Sequence, residues 1–334
     1  MFTSNTNIVF DACRNLQGLE LRLGDNNFIQ VSSMPNSVGS SYGYASGGGF
    51  YAPLACNEID RFAFASTASS ADVGDISVAR WSVSGASSKV NGYTMAGYIN
   101  PPLTYYNVID KFPFAAINAN SSDVGDLTCA RSTAAAANSN EHGYASGGFV
   151  PPTPAGLTMI DKFPFATNSN SQCVGALGTA SIFGYGNSSQ TNGYVSSRST
   201  PTAGITQKFP FASSVTVTTT GSMLCRLSQG STSSMLNGYT AGGYTGNPVF
   251  YCCIERFPFS TDAGSIGVGT LSQGRGSAIG QSSTDYGHFS GGQCGYIPYA
   301  KSWRIDRFPF ANESVTTCIG NLAYCRAEGA GHQV

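Results

Sequence analysis

A single phrase recurs along this 334-residue chain and dictates its architecture. In its fullest form it reads I-D-K-F-P-F-A, and its first phenylalanine is Phe62, Phe112, Phe163, Phe209, Phe257 or Phe308, at steps of 50, 51, 46, 48 and 51 residues. A period of this length is the signature of a repeat architecture. About eleven residues after each phenylalanine comes a V-G-x-L element, as in Val73 to Ile76 and Val124 to Leu127. A basic residue follows at Arg80, Arg131, Arg226, Arg275 and Arg326, with Ser181 as the exception. Thirteen residues beyond that slot, without insertion, stand Tyr93, Tyr144, Tyr194, Tyr239 and His288, and Tyr44 opens the series. Phrases such as YASGG (44-48, 144-148), YTAGG (239-243) and HFSGG (288-292) begin at that aromatic.

Each piece is four to eight residues long, rich in β-branched or aromatic residues and bounded by Gly, Asn or Ser, which reads as short strands at regular spacing. The unit therefore predicts four strands: a small-residue strand, the aromatic strand with its glycine pair, the F-P-F strand and the V-G-x-L strand. A lone four-stranded sheet has two apolar faces and nothing to cover them, so copies must stack radially into a β-propeller. The two phenylalanines of F-P-F share one face by the period of two and are expected to pack against the next blade. The proline between them suits a strand near a sheet edge. Composition agrees with an all-β fold: the chain has 41 glycines and few good helix formers outside its alanine runs.

A basic residue, a small strand, an aromatic followed by two glycines and an acid in the third strand resemble the kelch repeat over residues 31-334. The carriers are Tyr44 with Gly47 and Gly48, Tyr144 with Gly147 and Gly148, Tyr239 with Gly242 and Gly243, and the acids Asp60, Asp110, Asp161, Glu255 and Asp306. The kelch tryptophan of the fourth strand is absent, and the fourth repeat reads SSRS at 196-199 in place of the glycine pair.

The whole chain, 1-334, is expected to form a single β-propeller. Six complete repeats cover 31-325, leaving 1-30 and 326-334. AEGAGHQV after Arg326 resembles a first strand, NIVFDA (7-12) a third and LGDN (23-26) a fourth. Joined, the N- and C-terminal strands would close the ring as a seventh blade, with residues 31-43 giving the first strand of the first complete repeat. Seven blades are the favoured expectation; six blades with residues 1-30 as a docking arm are the alternative.

Chemistry is sparse. The net charge of -1, with 17 basic and 18 acidic residues, gives no basic excess for nucleic acid. No apolar run approaches a membrane span, and no secretory leader is visible at the N-terminus. The ten cysteines show no CxxC pair and are expected to act as small buried hydrophobes. Of the three histidines His142, His288 and His332, His288 occupies the aromatic slot of the repeat, and no spacing suggests a metal site. The arginine series reads as structural, pairing with a carboxylate or capping carbonyls. The acid-base steps Asp60-Arg61, Asp110-Lys111, Asp161-Lys162, Glu255-Arg256 and Asp306-Arg307 read as surface charge pairs. No catalytic residues, no cofactor and no metal are assigned, and the chain is not read as an enzyme.

Variation within a repeat maps to loops on one face. The loops between the second and third strands are stiffened by proline and carry Tyr51, Tyr98, Tyr105, Tyr106, Phe149, Tyr244, Phe250, Tyr251, Tyr296, Tyr299 and Trp303. Aromatics of this kind offer large contact area at low entropy cost and flat faces for sugar rings. They are the candidate binding residues, with mutual packing of the same rings as the alternative reading. Low charge combined with the I-D-K-F-P-F-A phrase further resembles virion structural and tail-fibre proteins of aquatic tailed bacteriophages. That resemblance implies a non-enzymatic virion protein assembled in the host cytoplasm, binding other virion proteins or a host-surface glycan, with homo-oligomers allowed and no nucleic acid or membrane insertion. A cytoplasmic kelch-like adaptor for protein partners is the alternative, and a carbohydrate-active enzyme a more distant one.

Overall fold

The computed structural model describes residues 20–23, 27–30, 41–51, 54–152, 156–200, 203–211, 215–223, 226–246, 249–295 and 300–334. Its contacts divide the chain into two units, Met1–Met34 and Pro35–Val334. In the first, Glu20–Leu23 and Asn27–Gln30 form an antiparallel hairpin of their own, with Glu20 opposite Gln30. Every named element of the second is a β-strand.

The second unit is a β-propeller of six four-stranded antiparallel blades. Blade 2 shows the plan: Ser84–Ser87 innermost, then Asn91–Met95, Val108–Pro113 and Ser122–Asp126 outermost. Blades 3 to 6 repeat it, with innermost strands Ala135–Asn138, Tyr185–Ser188, Gly230–Ser233 and Ile279–Ser282. Blade 1 takes Tyr42–Ser46, Glu58–Ala63 and Ala71–Asp75 from one end of the chain and its innermost strand, Ala330–Gln333, from the other. The six innermost strands neighbour one another in a closed ring.

A seventh blade is therefore ruled out. The strand expected to begin it, 330–333, completes blade 1, where it takes the place expected of residues 31-43. Of the N-terminal segments proposed for that blade, 7-12 and most of 23-26 lie outside the described residues, and among the described residues Glu20–Leu23 pairs only with Asn27–Gln30. The prolines also need a different account, because the third strand is interior to each sheet. Pro113, Pro164, Pro210, Pro258 and Pro309 stand at its last residue, where the ladder stops and a missing N–H costs nothing.

Neighbouring blades are clasped by aromatic rings, as the period of two implies. Tyr44 of blade 1 lies between Phe112 and Phe114 of blade 2, at centroid distances of 5.7 and 4.8 Å. Tyr93 meets Phe163 and Phe165, Tyr144 meets Phe209 and Phe211, Tyr194 meets Phe257 and Phe259, and Tyr239 meets Phe308 and Phe310. Four of these phenols also donate across the seam to a backbone carbonyl, as Tyr44 does to Phe114 O at 3.1 Å. The glycine before each tyrosine makes room for the first phenylalanine of its own blade: a Cβ on Gly92 would collide with the Phe112 ring opposite it.

The acids of the third strand are not surface pairs. Asp60, Asp110, Asp161, Glu255 and Asp306 are fully buried, and the basic residue beside each points to the other side of the strand. Their partners are the repeat-slot arginines: Arg80–Asp110 2.8 Å, Arg131–Asp161 3.0 Å, Arg226–Glu255 3.3 Å, Arg275–Asp306 3.1 Å and Arg326–Asp60 2.8 Å. Each guanidinium also donates to a carbonyl at or just past the end of the second strand, such as Ala145 O at 3.1 Å from Arg131 or Gly47 O at 3.3 Å from Arg326. Three of the carboxylates reach back to the preceding blade as well, Asp161 accepting from the N–H and hydroxyl of Thr128, Asp306 from those of Ser272 and Asp60 from the N–H of Ala323. In blade 4 both charges are missing together. Ser181 replaces the arginine and Gln207 the acid, and the Gln207 amide both accepts from Thr179 N at 2.9 Å and donates to Thr179 O at 3.0 Å. The latch persists without charge.

The cysteines depart from expectation. Of those described, only Cys56 is buried, with its thiol pushed up to about 12 by burial, while Cys173 and Cys318 are exposed.

Two predictions follow from these seams. Arg131→Met alone leaves the Asp161 carboxylate buried and unpaired and should cost about 3–5 kcal/mol in chemical denaturation, whereas Arg131→Met with Asp161→Leu should recover most of that loss. A double variant as unstable as the single one would contradict this account. The second concerns His288, which fills the tyrosine slot of blade 6 against Phe62 and Phe64 with both ring nitrogens unpartnered. Burial lowers it to about 3, and burial lowers His332 of the closing strand to about 4, both from 6.5. The unfolded chain thus binds protons that the folded chain refuses, so stability is full above pH 6.5 and falls as pH drops through about 4 and then 3. His288→Tyr restores the residue of the other five blades and a phenol able to donate to Phe64 O. It should raise stability by about 1 kcal/mol at neutral pH and flatten the acid limb; an unchanged slope between pH 6.5 and 4 would refute the assignment.

Candidate binding face around the channel

The strand order places two kinds of connection on the same face: the loop from second to third strand, and the connector that carries the basic slot into each innermost strand. Backbone bridges tie the two together, Trp81 to Tyr98, Ser132 to Phe149, Leu227 to Tyr244, Gly276 to Gln293 and Gly49 to Ala327. The glycine pair causes this. At Gly147 and Gly148, φ of 64° and 104° turns the chain sharply, and Gly148 N donates to the carbonyl of the next connector, Ser181 O, at 2.8 Å. Blade 4 has Ser197 and Arg198 there instead, and its second and third strands simply run on, as Asn192–Thr200 and Ala203–Pro210.

The described candidate aromatics divide into four groups. Tyr98 stacks on Tyr105 at 5.7 Å, and Tyr105 meets Phe149 of the next blade at 6.2 Å, so two loops share one cluster. Tyr244 and Phe250 pair within the blade 5 loop at 5.9 Å. Tyr106 and Tyr251 instead cover the buried ion pairs, lying 5.8 Å from the Arg80 guanidinium and 4.8 Å from that of Arg226. Trp303 is 56% exposed and stands apart. Tyr51 closes the short strand Gly49–Tyr51, and its side chain lies outside the described set, as do Tyr296 and Tyr299. Burial pushes the Tyr98 phenol up to about 12, reinforced by the charge of Glu328, and raises Tyr105 as well. Leu54, Leu103 and Val249 are at least half exposed on these same loops.

Inside this rim lies a site that the sequence reading passed over, the channel along the propeller axis. Its narrow part is formed by the middle residues of the innermost strands, Gly85, Ala136, Gly186, Ser231, Gly280 and Gly331. They are small because the strands converge: a Cβ on Gly186 would strike Ala136 O, and one on Gly280 would strike Ser231 O. The small-residue stretch of each repeat was the signal for it. At the mouth, two positions past each basic slot, stand Ser82, Thr133, Phe183, Ser228, Ser277 and Glu328, all with φ between 52° and 62°. Backbone hydrogen bonds run around this ring, Thr133 N donating to Ser82 O and Glu328 N to Ser277 O. Glu328 is the only carboxylate lining the channel among the described residues, and Ser82 Oγ donates to it. Nearby, Lys301 lies over the Trp81 ring at 5.5 Å, its ammonium lowered by burial.

Among the described residues no group of three His, Cys, Asp or Glu side chains could hold a metal ion. The face offers stacking surfaces, hydroxyls and one carboxylate around a converging channel, which is equipment for binding.

Fold and site together define a six-bladed β-propeller with a loop-bearing face suited to a binding or protein-interaction role. The chain is similar to the solved structure of YjhT, with a TM-score of 0.65 at 10% identity over 84% of this chain and 99% of that one. At that identity the likeness is one of fold. No family model and no curated protein sequence matches the chain.

Proposed function

We propose that this chain is a non-enzymatic structural protein of a phage virion, a tail-fibre or other virion-surface propeller whose loop face binds a host-surface glycan or a neighbouring virion protein. The carrying observation is the display of apolar side chains on that face. Leu54, Leu103, Val249 and Trp303, from the loops of four blades, are between 50% and 56% exposed. The Tyr98–Tyr105–Phe149 cluster braces the same rim. Apolar groups rimmed by polar ones are how soluble proteins present interaction surfaces. Tyrosine and tryptophan suit both a protein partner and a pyranose ring. The low net charge of -1 makes no provision for nucleic acid, and the kelch-like phrase I-D-K-F-P-F-A supports the virion setting by resemblance.

Mass spectrometry of purified virions should detect the chain in the particle, and its absence would end the virion reading. Binding of the purified protein to a glycan array or to virion proteins should fall about tenfold with Tyr105→Ala and Trp303→Ala together. Binding untouched by both changes would move the partner to another face, and turnover of any polysaccharide would replace the non-enzymatic reading.

A further inference from the structure

The mouth of the channel carries its own asymmetry. Six equivalent positions ring it, and four hold hydroxyl side chains, Ser82, Thr133, Ser228 and Ser277. The two departures are Glu328, which leads into blade 1, and Phe183, which leads into blade 4. In the closed ring of innermost strands those blades are three steps apart in either direction, so the two residues hold opposite places around the opening.

The repeat itself does not call for either residue. The backbone at this slot is left-handed in every blade, with φ of 53° at Phe183 and 62° at Glu328 against 52° at Ser82 and 53° at both Ser228 and Ser277. A bulky side chain is poorly suited to that conformation, and serine meets the same backbone demand at three equivalent places. Phe183 is also 38% exposed, so its ring is not spent on the core. The hydroxyls of Ser228 and Ser277 make no hydrogen bond among the described residues, Ser82 Oγ is turned to Glu328, and Thr133 Oγ1 is buried without a partner.

We propose that the channel mouth is a binding site for one uncharged pyranose residue, stacked on Phe183 and hydrogen-bonded through its hydroxyls to Glu328 and the surrounding hydroxyl ring. An aromatic face takes the C–H side of a sugar ring. A carboxylate accepts from two hydroxyls at once, and such charge-assisted bonds are stronger than neutral ones. Serine and threonine hydroxyls both donate and accept, matching the hydroxyls of a sugar. An anionic sugar would meet Glu328 with like charge and is disfavoured. The site is independent of the virion reading and of the rim aromatics.

The test is ligand-observed NMR on the purified full chain with methyl glucoside, methyl galactoside and methyl mannoside, with glucuronate as the anionic probe and choline as the cationic one. At least one neutral glycoside should bind and glucuronate should not. Phe183→Ser and Glu328→Ser each install the residue that other blades carry at the same backbone geometry, so both variants should keep the parent thermal midpoint. Each should weaken the neutral glycoside about tenfold, whereas Tyr105→Ala should leave it unchanged. Failure of all three neutral glycosides, preferential binding of glucuronate or choline, or affinity unaffected in both serine variants would overturn the site. Loss of affinity with Tyr105→Ala alone would assign the sugar to the rim instead and also overturn it.

Discussion

Everything in this fold rests on one contact repeated around a circle, a ring from the second strand of one blade held between two phenylalanines of the next. Neither partner of that contact is buried by its own sheet. Tyr144 at 0% exposure and Phe209 at 0% are covered only because blades 3 and 4 meet, and the same holds at the other seams. The repeat therefore has no stable form as a single unit, and the ring has no preferred place to stop short of closure. Around this apolar clasp sits a polar one, in which arginine, carboxylate and a carbonyl of the second strand are buried together. Such groups contribute little net stability but are costly to leave half made. Their value lies in fixing where each connector must run.

The polar latch also shows how a repeat can change without failing. Blade 4 has lost the arginine and the acid, and Gln207 takes over the link to the preceding blade with a neutral amide. It has also lost the glycine bend, and there the second and third strands run on without the turn made by the other blades. Ser197 and Arg198, in the slots of the two glycines, stay in the ladder opposite Ile205 and Gly204. The connector of the same blade is where Phe183 enters the channel mouth.

Much of this was legible in the sequence, because the repeat reports the same packing six times over. The order of the four strands, the placing of F-P-F against the next blade and the assignment of His288 to an aromatic slot all follow from spacing. What could not be read was which end of the chain completes which blade. AEGAGHQV was recognisable as a first strand, but periodicity does not reveal that residues 41–51 lacked one of their own. The acids were misjudged for a local reason: in Asp110-Lys111 the residues are sequence neighbours, and neighbours on a strand face opposite ways, so the visible pair was the wrong pair. Arg80, thirty residues earlier, was the true partner. The channel escaped notice because its lining consists of Gly, Ala and Ser, whose meaning is set by convergence of strands and not by their own chemistry.

Blade 1 joins a strand at 42–46 to one at 330–333, and this has a consequence for biosynthesis. Blades 2 to 6 can each be completed as they leave the ribosome, since all four of their strands are contiguous in the chain. The first blade to emerge must wait, three-stranded and with an open edge, from Asp75 until Ala330 has been made. Long-range closure of that kind is slow to form, and the waiting edge is where a nascent chain of this design is open to pairing with the wrong strand.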